Sequence, residues 1–263
     1  VIKVDDILIY FSYIHEGEWD KIYSSIKSKV MIDHEKLIKI KSELNTNYVT
    51  ILSSNYPTLL KHVSKPPFVL YYQGDLSLVD STLLFAIVGT RNPTSFGVEV
   101  TKKLTKDFVA KKACIISGLA KGIDATAHKT CLENNGKTIA VLGNGFDHFY
   151  PYENKELQLE IAEKGLLLSE YPPFVVSNKD HFPIRNRIIA ALANAIIVTE
   201  AKIKSGTQIT VSYGLDMGKD IYCVPSQDLN QSACNYLIKQ GAKLVETGMD
   251  VIEDFTSLLV PKY

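Results

Sequence analysis

The chain has 263 residues, 46% hydrophobic and 22% charged, and its 29 basic residues balance 29 acidic ones for a formal net charge of +0. Such a length supports a sizeable core, and the composition is that of a globular protein, not a disordered or fibrous one. The balance excludes binding of polyanions through bulk charge, so any anion site must be a local cluster.

The segment from Val1 to about Leu44 reads as helical. Ile7, Leu8, Tyr10, Phe11 and Ile14 form one helical stripe, and Trp19, Ile22, Tyr23 and Ile26 form another. Residues 1–45 are expected to be a small helical appendage, and residues 46–263 a single large domain. No basic segment followed by an apolar stretch opens the chain, so no signal peptide is expected. Tyr56-Pro57 and Lys65-Pro66-Pro67 punctuate the connector that follows, and Phe68–Tyr72 reads as a short strand.

From Leu83 apolar runs alternate with amphipathic helical patterns. Strands are expected at Leu83–Val88, Ala113–Ile116, Thr138–Leu142, Gly165–Ser169, Ala195–Val198, Ile221–Val224 and Lys243–Val245. Helices are expected between them, as at Gly97–Lys111, Ile123–Asn134, Asn154–Glu163 and Ser205–Met217. This rhythm predicts an α/β fold: a mostly parallel sheet with helices on both faces. Ligands of such sheets sit beyond the carboxyl ends of the strands, so the strand-end turns are where chemistry is sought.

The first of these turns is Gly89-Thr90-Arg91, a glycine for close backbone approach followed by two donors. The second, Ser117-Gly118-Leu119-Ala120-Lys121-Gly122, opens a helix and has the character of an N–H nest for phosphate. It is neither a Walker A loop nor a nucleophile elbow. Asp124 is expected to orient this turn, and His128 to be structural. Next comes Gly143-Asn144-Gly145-Phe146, running on to Tyr150-Pro151. Its aromatics could stack bases, but core packing is preferred for Phe146 and Tyr150.

Phe182-Pro183-Ile184-Arg185-Asn186-Arg187 is the most telling segment. Placed at the mouth of a helix, Arg185 and Arg187 would aim two guanidinium forks into one small volume, a geometry suited to phosphate oxygens. The alternative for such a pair is a structural bridge from a loop to neighbouring carboxylates. Ser205-Gly206-Thr207, entering a further helix, offers hydroxyls and N–H groups to an anion or simply caps that helix. No catalytic or metal-binding residue is assigned, and no cofactor is expected. The four cysteines, Cys114, Cys131, Cys223 and Cys234, form no C-x-x-C pair and read as buried reduced thiols, which suits a cytoplasmic location. The longest apolar stretch, Ile188–Val198, is too short to span a bilayer.

In these motifs the chain resembles the DNA-processing protein A (DprA/Smf) family. The matching residues run in order from Tyr56-Pro57 through Val88–Arg91, Ser117–Asp124, Tyr150-Pro151, Ser169–Pro173 and Phe182–Arg187 to Ser205–Thr207. The resemblance implies an extended Rossmann-like domain that binds single-stranded DNA as a homodimer. It also implies protection of incoming DNA and its hand-over to RecA recombinase in natural transformation. Carried over residue by residue, the family's DNA pocket falls on Arg91, Lys121, Arg185 and Arg187; together with the strand-end turns, the expected DNA-binding residues are Gly89, Thr90, Arg91, Ser117, Gly118, Lys121, Gly122, Arg185, Asn186, Arg187, Ser205, Gly206 and Thr207. There are departures. Family members usually read Val-Pro-Gly where this chain has Val224-Pro225-Ser226, and the chain ends at Tyr263 without room for the winged-helix domain that many carry. The competing reading is a nucleotide-binding or nucleotide-cleaving enzyme of the related lysine-decarboxylase-like (LOG) class. Its Pro-Gly-Gly-x-Gly-Thr motif and following glutamate are missing around Ser205–Thr210, and Glu200 precedes the turn instead.

Overall fold

The computed structural model describes residues 3–256. Three short helices open it: α1 (Val4–Ile14), α2 (Trp19–Lys27) and α3 (His34–Glu43). Gly17, at φ +78°, separates the first two, and the Asp33 carboxylate caps the third through the amides of Glu35 and Lys36. The segment expected to be helical is therefore broken twice.

A nine-stranded sheet follows. Its strands are β1 (Asn47–Thr50), β2 (Val69–Gly74), β3 (Leu84–Val88), β4 (Cys114–Ser117), β5 (Thr138–Val141), β6 (Leu166–Ser169), β7 (Ala195–Val198), β8 (Asp220–Cys223) and β9 (Lys243–Leu244). The spatial order is β1-β2-β6-β5-β4-β3-β7-β8-β9. β1 pairs with β2, and β2 with β6, antiparallel, and every other pairing is parallel. β1 is a strand that sequence periodicity did not reveal. The chain runs outward from β3 through β4 and β5 to β6, then returns to lay β7 on the opposite flank of β3. That reversal is the switch point at which open α/β sheets form a crevice beyond their carboxyl ends. The fold is the expected Rossmann-like one.

The strands are apolar throughout because both faces are covered. Leu84, Ala86 and Val88 point into one core with α7 (His181–Leu192), α8 (Thr207–Asp216) and α9 (Ala233–Lys239). Phe85 and Ile87 point into the other with α4 (Ser95–Ala110), α5 (Ile123–Glu133) and α10 (Gly248–Thr256). The same face continues over β2, β5 and β6. There Leu8, Ile9, Phe11, Ile22, Leu37 and Ile40 of the three N-terminal helices share a core with Tyr71, Leu142, Phe146 and Ile161 of α6 (Lys155–Lys164). All four cysteines are buried and unpaired. Among the described residues, no helix is long and apolar enough to cross a membrane.

Candidate functional site

A cleft of about 450 Å³ opens at the switch point, walled by the turns after β3 and β7, by Ala120 and Asp124 beyond β4, and by α7. Gly89, Thr90, Arg91, Arg185, Asn186, Ser205, Gly206 and Thr207, all expected at the site, line it. Gly118 and Lys121 line an adjoining hollow with Arg91, Arg185 and Phe182. Ser117, Gly122 and Arg187 line neither.

Helix α7 explains the separation of the two arginines. It starts at His181, so Arg185 and Arg187 sit in its second turn and not at its mouth. Two residues along an α-helix rotate by about 200°, and positions i and i+2 do not face each other. The expectation that both forks share one volume is corrected on this ground. Arg185 turns to the cleft, where its Nη1 donates to the carbonyls of Gly118 (2.7 Å) and Val141 and its Nε to Asn186 Oδ1 (3.1 Å). It is only 4% exposed. Burial pushes its pKa down to about 10, against the pull of the Asp124 charge. Arg187 turns the other way. Its Nη1 and Nη2 meet the two Glu170 carboxylate oxygens at 2.7 Å each, and Nη2 also reaches Lys65 O at 2.9 Å. This buried bidentate pair matches the structural bridge held open as the alternative. It lines a second cavity with Trp19, Tyr171 and His181.

The turn after β4 folds in on itself. Ser117 Oγ donates to Ile87 O (2.6 Å) and is fully buried. The amides of Gly118 (3.1 Å) and Ala120 (3.4 Å) donate to Asp124 Oδ2, and the Ile123 amide donates to Thr90 O (3.1 Å). Donors expected to cradle an outside anion thus serve the protein's own groups. Asp124 orients the turn as expected, and burial raises its pKa. Gly118 is required by close approach, since a Cβ there would lie 2.7 Å from the Arg185 guanidinium carbon. Gly122 is required by its φ of +77° and by Thr90 O, 2.4 Å from where a Cβ would be. Lys121 is exposed and pairs with the exposed carboxylate of Glu153.

His128 lies fully buried beneath this turn. Thr138 Oγ1 donates to Ile115 O, so it accepts from His128 Nδ1–H at 2.7 Å. Among the described residues His128 Nε2 has no partner, and burial holds the imidazole neutral, with a pKa lowered to about 3.

The turns after β3 and β7 remain open. The Thr90 amide donates to Glu200 O (2.7 Å), and the Glu200 carboxylate accepts from Thr94 N (3.0 Å) and Thr94 Oγ1 (2.8 Å) at the start of α4. Glu200 is thereby tied to the scaffold. Arg91 is exposed, its guanidinium carbon 5.6 Å from the Phe182 ring centre, and among the described residues it has no carboxylate partner. At the other turn, Gly206 precedes α8 without a side-chain cap and faces open space, and Ser205 Oγ is buried without a partner among the described residues. The Gln208 and Ile209 amides of that helix end donate to Ser205 O and Gly206 O at 3.1 Å each, and the positive end of the helix dipole borders the cleft.

Lys179, Phe182 and Tyr150 are among the cleft residues that sequence reasoning did not place at the site. Lys179 lines the rim, exposed and without an ion pair among the described residues. Phe182 carries Arg91 on its ring and stacks on Tyr150 with centroids 5.0 Å apart at 28°. Tyr150, read as core, is 42% exposed, while Phe146 does lie in the core. A lysine and an aromatic flanking the arginine segment were the available signal for the first two.

A model of the family described as DNA recombination-mediator protein A matches residues 47–256. The chain belongs to that family. It is 39% identical over 236 residues to the DNA processing protein DprA of Bacillus subtilis, covering 88% of this chain and 80% of that one. To DprA of Streptococcus pneumoniae it is 43% identical over 208 residues, 78% of this chain and 73% of that one. The S. pneumoniae X-ray structure superposes with a TM-score of 0.81 at 36% identity, covering 95% of this chain and 93% of the other. DNA processing protein A of Helicobacter pylori, whose structure describes a single-stranded DNA binding mode, gives 0.72 at 30% identity over 82% of this chain and 97% of that one. Where family members usually carry Val-Pro-Gly, the turn is held by side chains: Ser226 N donates to Asn235 Oδ1 (2.9 Å), Asn235 Nδ2 to Ser226 O (2.7 Å), and Asp228 N to Ser226 Oγ (3.1 Å). Ser226 is not among the residues with positive φ, so glycine's freedom is not needed there.

Proposed function

We propose that the cleft binds single-stranded DNA through its backbone, with one or two bases stacked on the exposed aromatics. The observation that carries this is the pairing of unneutralised cations with a helix N-terminus at the switch point. Arg91 and Lys179 stand at the rim without carboxylate partners among the described residues, and the Ser205-Gly206-Thr207 turn lines the cleft beside them at the positive end of the α8 dipole. Lys121 joins them by exchanging its exposed Glu153 partner for a phosphate, a trade that costs little because surface ion pairs are weak. Gly89, Thr90 and Asn186 supply the polar wall, and Tyr150 with Phe182 supplies the stacking surface. Arg185 serves as the charged floor, held by two carbonyls, and Ser117, Gly118 and Gly122 shape that floor. Arg187 acts through the scaffold.

Family membership supports a wider role, which we propose with it: protection of incoming DNA and loading of RecA recombinase, with the protein acting as a homodimer and no chemistry performed on the strand. The deciding experiment is affinity for single-stranded and double-stranded oligonucleotides of one sequence across a salt series. Single strands are expected to win at every salt concentration. A duplex bound equally well refutes the proposal. Sedimentation with and without DNA checks the dimer, and strand exchange by RecA on coated DNA checks the loading role.

A further inference from the structure

The β4–α5 turn is built like a phosphate cradle and is already filled. A glycine-bearing turn that leaves a strand's carboxyl end and enters a helix is where nucleotide-binding α/β folds hold phosphate. Here the Asp124 carboxylate, on the first turn of α5, reaches back into it. Oδ2 takes the amides of Gly118 and Ala120 at 3.1 and 3.4 Å. Arg185 bonds the same residue from its carbonyl side, donating to Gly118 O at 2.7 Å. Asp124 is 7% exposed and forms part of the cleft floor. The floor therefore contains a carboxylate and a guanidinium that offset each other, while Arg91 and Lys179 at the rim have no offsetting carboxylate among the described residues.

We infer that Asp124 is a specificity-determining residue: a built-in anion that keeps the terminal phosphate of a free nucleotide out of the β4–α5 turn and leaves the cleft to the internal phosphodiesters of a polymer. The inference rests on the proposed DNA-binding role of the cleft. An internal phosphodiester carries one negative charge, whereas a terminal phosphate carries about 1.5 to 2 at neutral pH. A dianion entering the floor meets a fixed carboxylate where water screens poorly. It also finds the Gly118 and Ala120 amides already used. A backbone running along the rim meets Arg91 and Lys179 first and has no need to descend.

The test is calorimetric titration of the whole chain and of Asp124→Asn with deoxyadenosine monophosphate, beside an oligothymidylate of about 20 nucleotides. Asparagine keeps an oxygen for the two amides and removes only the charge. The variant is expected to bind the monophosphate at least about tenfold more tightly than the unaltered chain. Equal affinities, weak or tight, overturn the inference. If the unaltered chain does not bind the oligonucleotide, the DNA-binding reading fails, and the monophosphate comparison is still readable. Should Asp124→Asn not fold, the unaltered chain decides. Oligonucleotides with and without a 5′-phosphate are expected to bind within about twofold of each other, and a preference of about fivefold or more for the phosphorylated end overturns the inference.

Discussion

Helix α7 has two faces that use one residue type for opposite ends. On one face Arg187 is consumed by Glu170 and Lys65 O. On the other, Arg185 lies between two carbonyls at the floor of a cleft whose rim cations have no carboxylate partner among the described residues. A guanidinium has the same donors in both places. What differs is whether a carboxylate bonds the guanidinium directly. Glu170 does so for Arg187, which ties the fold together, whereas Arg185 is bonded to carbonyls and faces the cleft with the Asp124 charge nearby.

The strongest way to break the comparison is to remove the ion pair. Arg187→Ala leaves the Glu170 carboxylate buried and alone, and is expected to cost about 3–5 kcal/mol in denaturant unfolding. The protein that stays folded should bind oligonucleotide with an unchanged salt slope. Retained stability with a shallower slope would move Arg187 to the DNA side. Next comes Gly118→Ala, whose methyl would lie 2.7 Å from the Arg185 guanidinium carbon. Overpacking of this kind costs about 1–3 kcal/mol, and here it should weaken binding as well, because it pushes the floor cation into the cleft. A thermal melt and an oligonucleotide titration on one sample separate the two effects.

Acid sharpens the contrast from beneath the cleft. Burial lowers the His128 pKa from 6.5 to about 3, so the unfolded chain takes up a proton that the fold refuses. The stability tied to neutral His128 is whole above pH 6.5 and falls as pH drops toward 3. The expected slope approaches about 1.4 kcal/mol per pH unit from this group. His128→Gln should flatten that limb in a pH series of unfolding curves, and an unaltered limb would reject the assignment. The smallest stability effects belong to the rim. Arg91→Ala and Lys179→Ala should stay within about 0.5 kcal/mol of the unaltered chain. Each should reduce the log–log salt slope of single-strand binding by about 0.7. If neither slope moves, the rim does not touch phosphate.

Much of the site was legible because it depends on strand ends. The turns Gly89–Arg91 and Ser205–Thr207 were found from an apolar run followed by glycine and hydroxyls, and they do flank the switch point. The turn at Ser117–Gly122 was found in the same way, and Asp124 was expected to orient it; that the carboxylate takes up the Gly118 and Ala120 amides becomes visible only once α5 is folded. Tyr150 was misjudged because an aromatic beside a glycine turn packs inward or outward according to what stands opposite it. Here Phe182 does, 32 residues further along the chain.

By itself the sequence determined the alternation of strands and helices from Leu83 onward, the burial of both sheet faces and the membership of a family. These follow from local periodicity and from short motifs, which neighbouring residues carry. Only the tertiary structure decided which arginine faces the cleft and which pairs within the fold. That choice depends on the phase of α7, started at His181, and on partners far away in sequence: Gly118 and Val141 for Arg185, Glu170 and Lys65 for Arg187. A guanidinium's role is set by the charge opposite it, and in a folded chain that charge is chosen by packing.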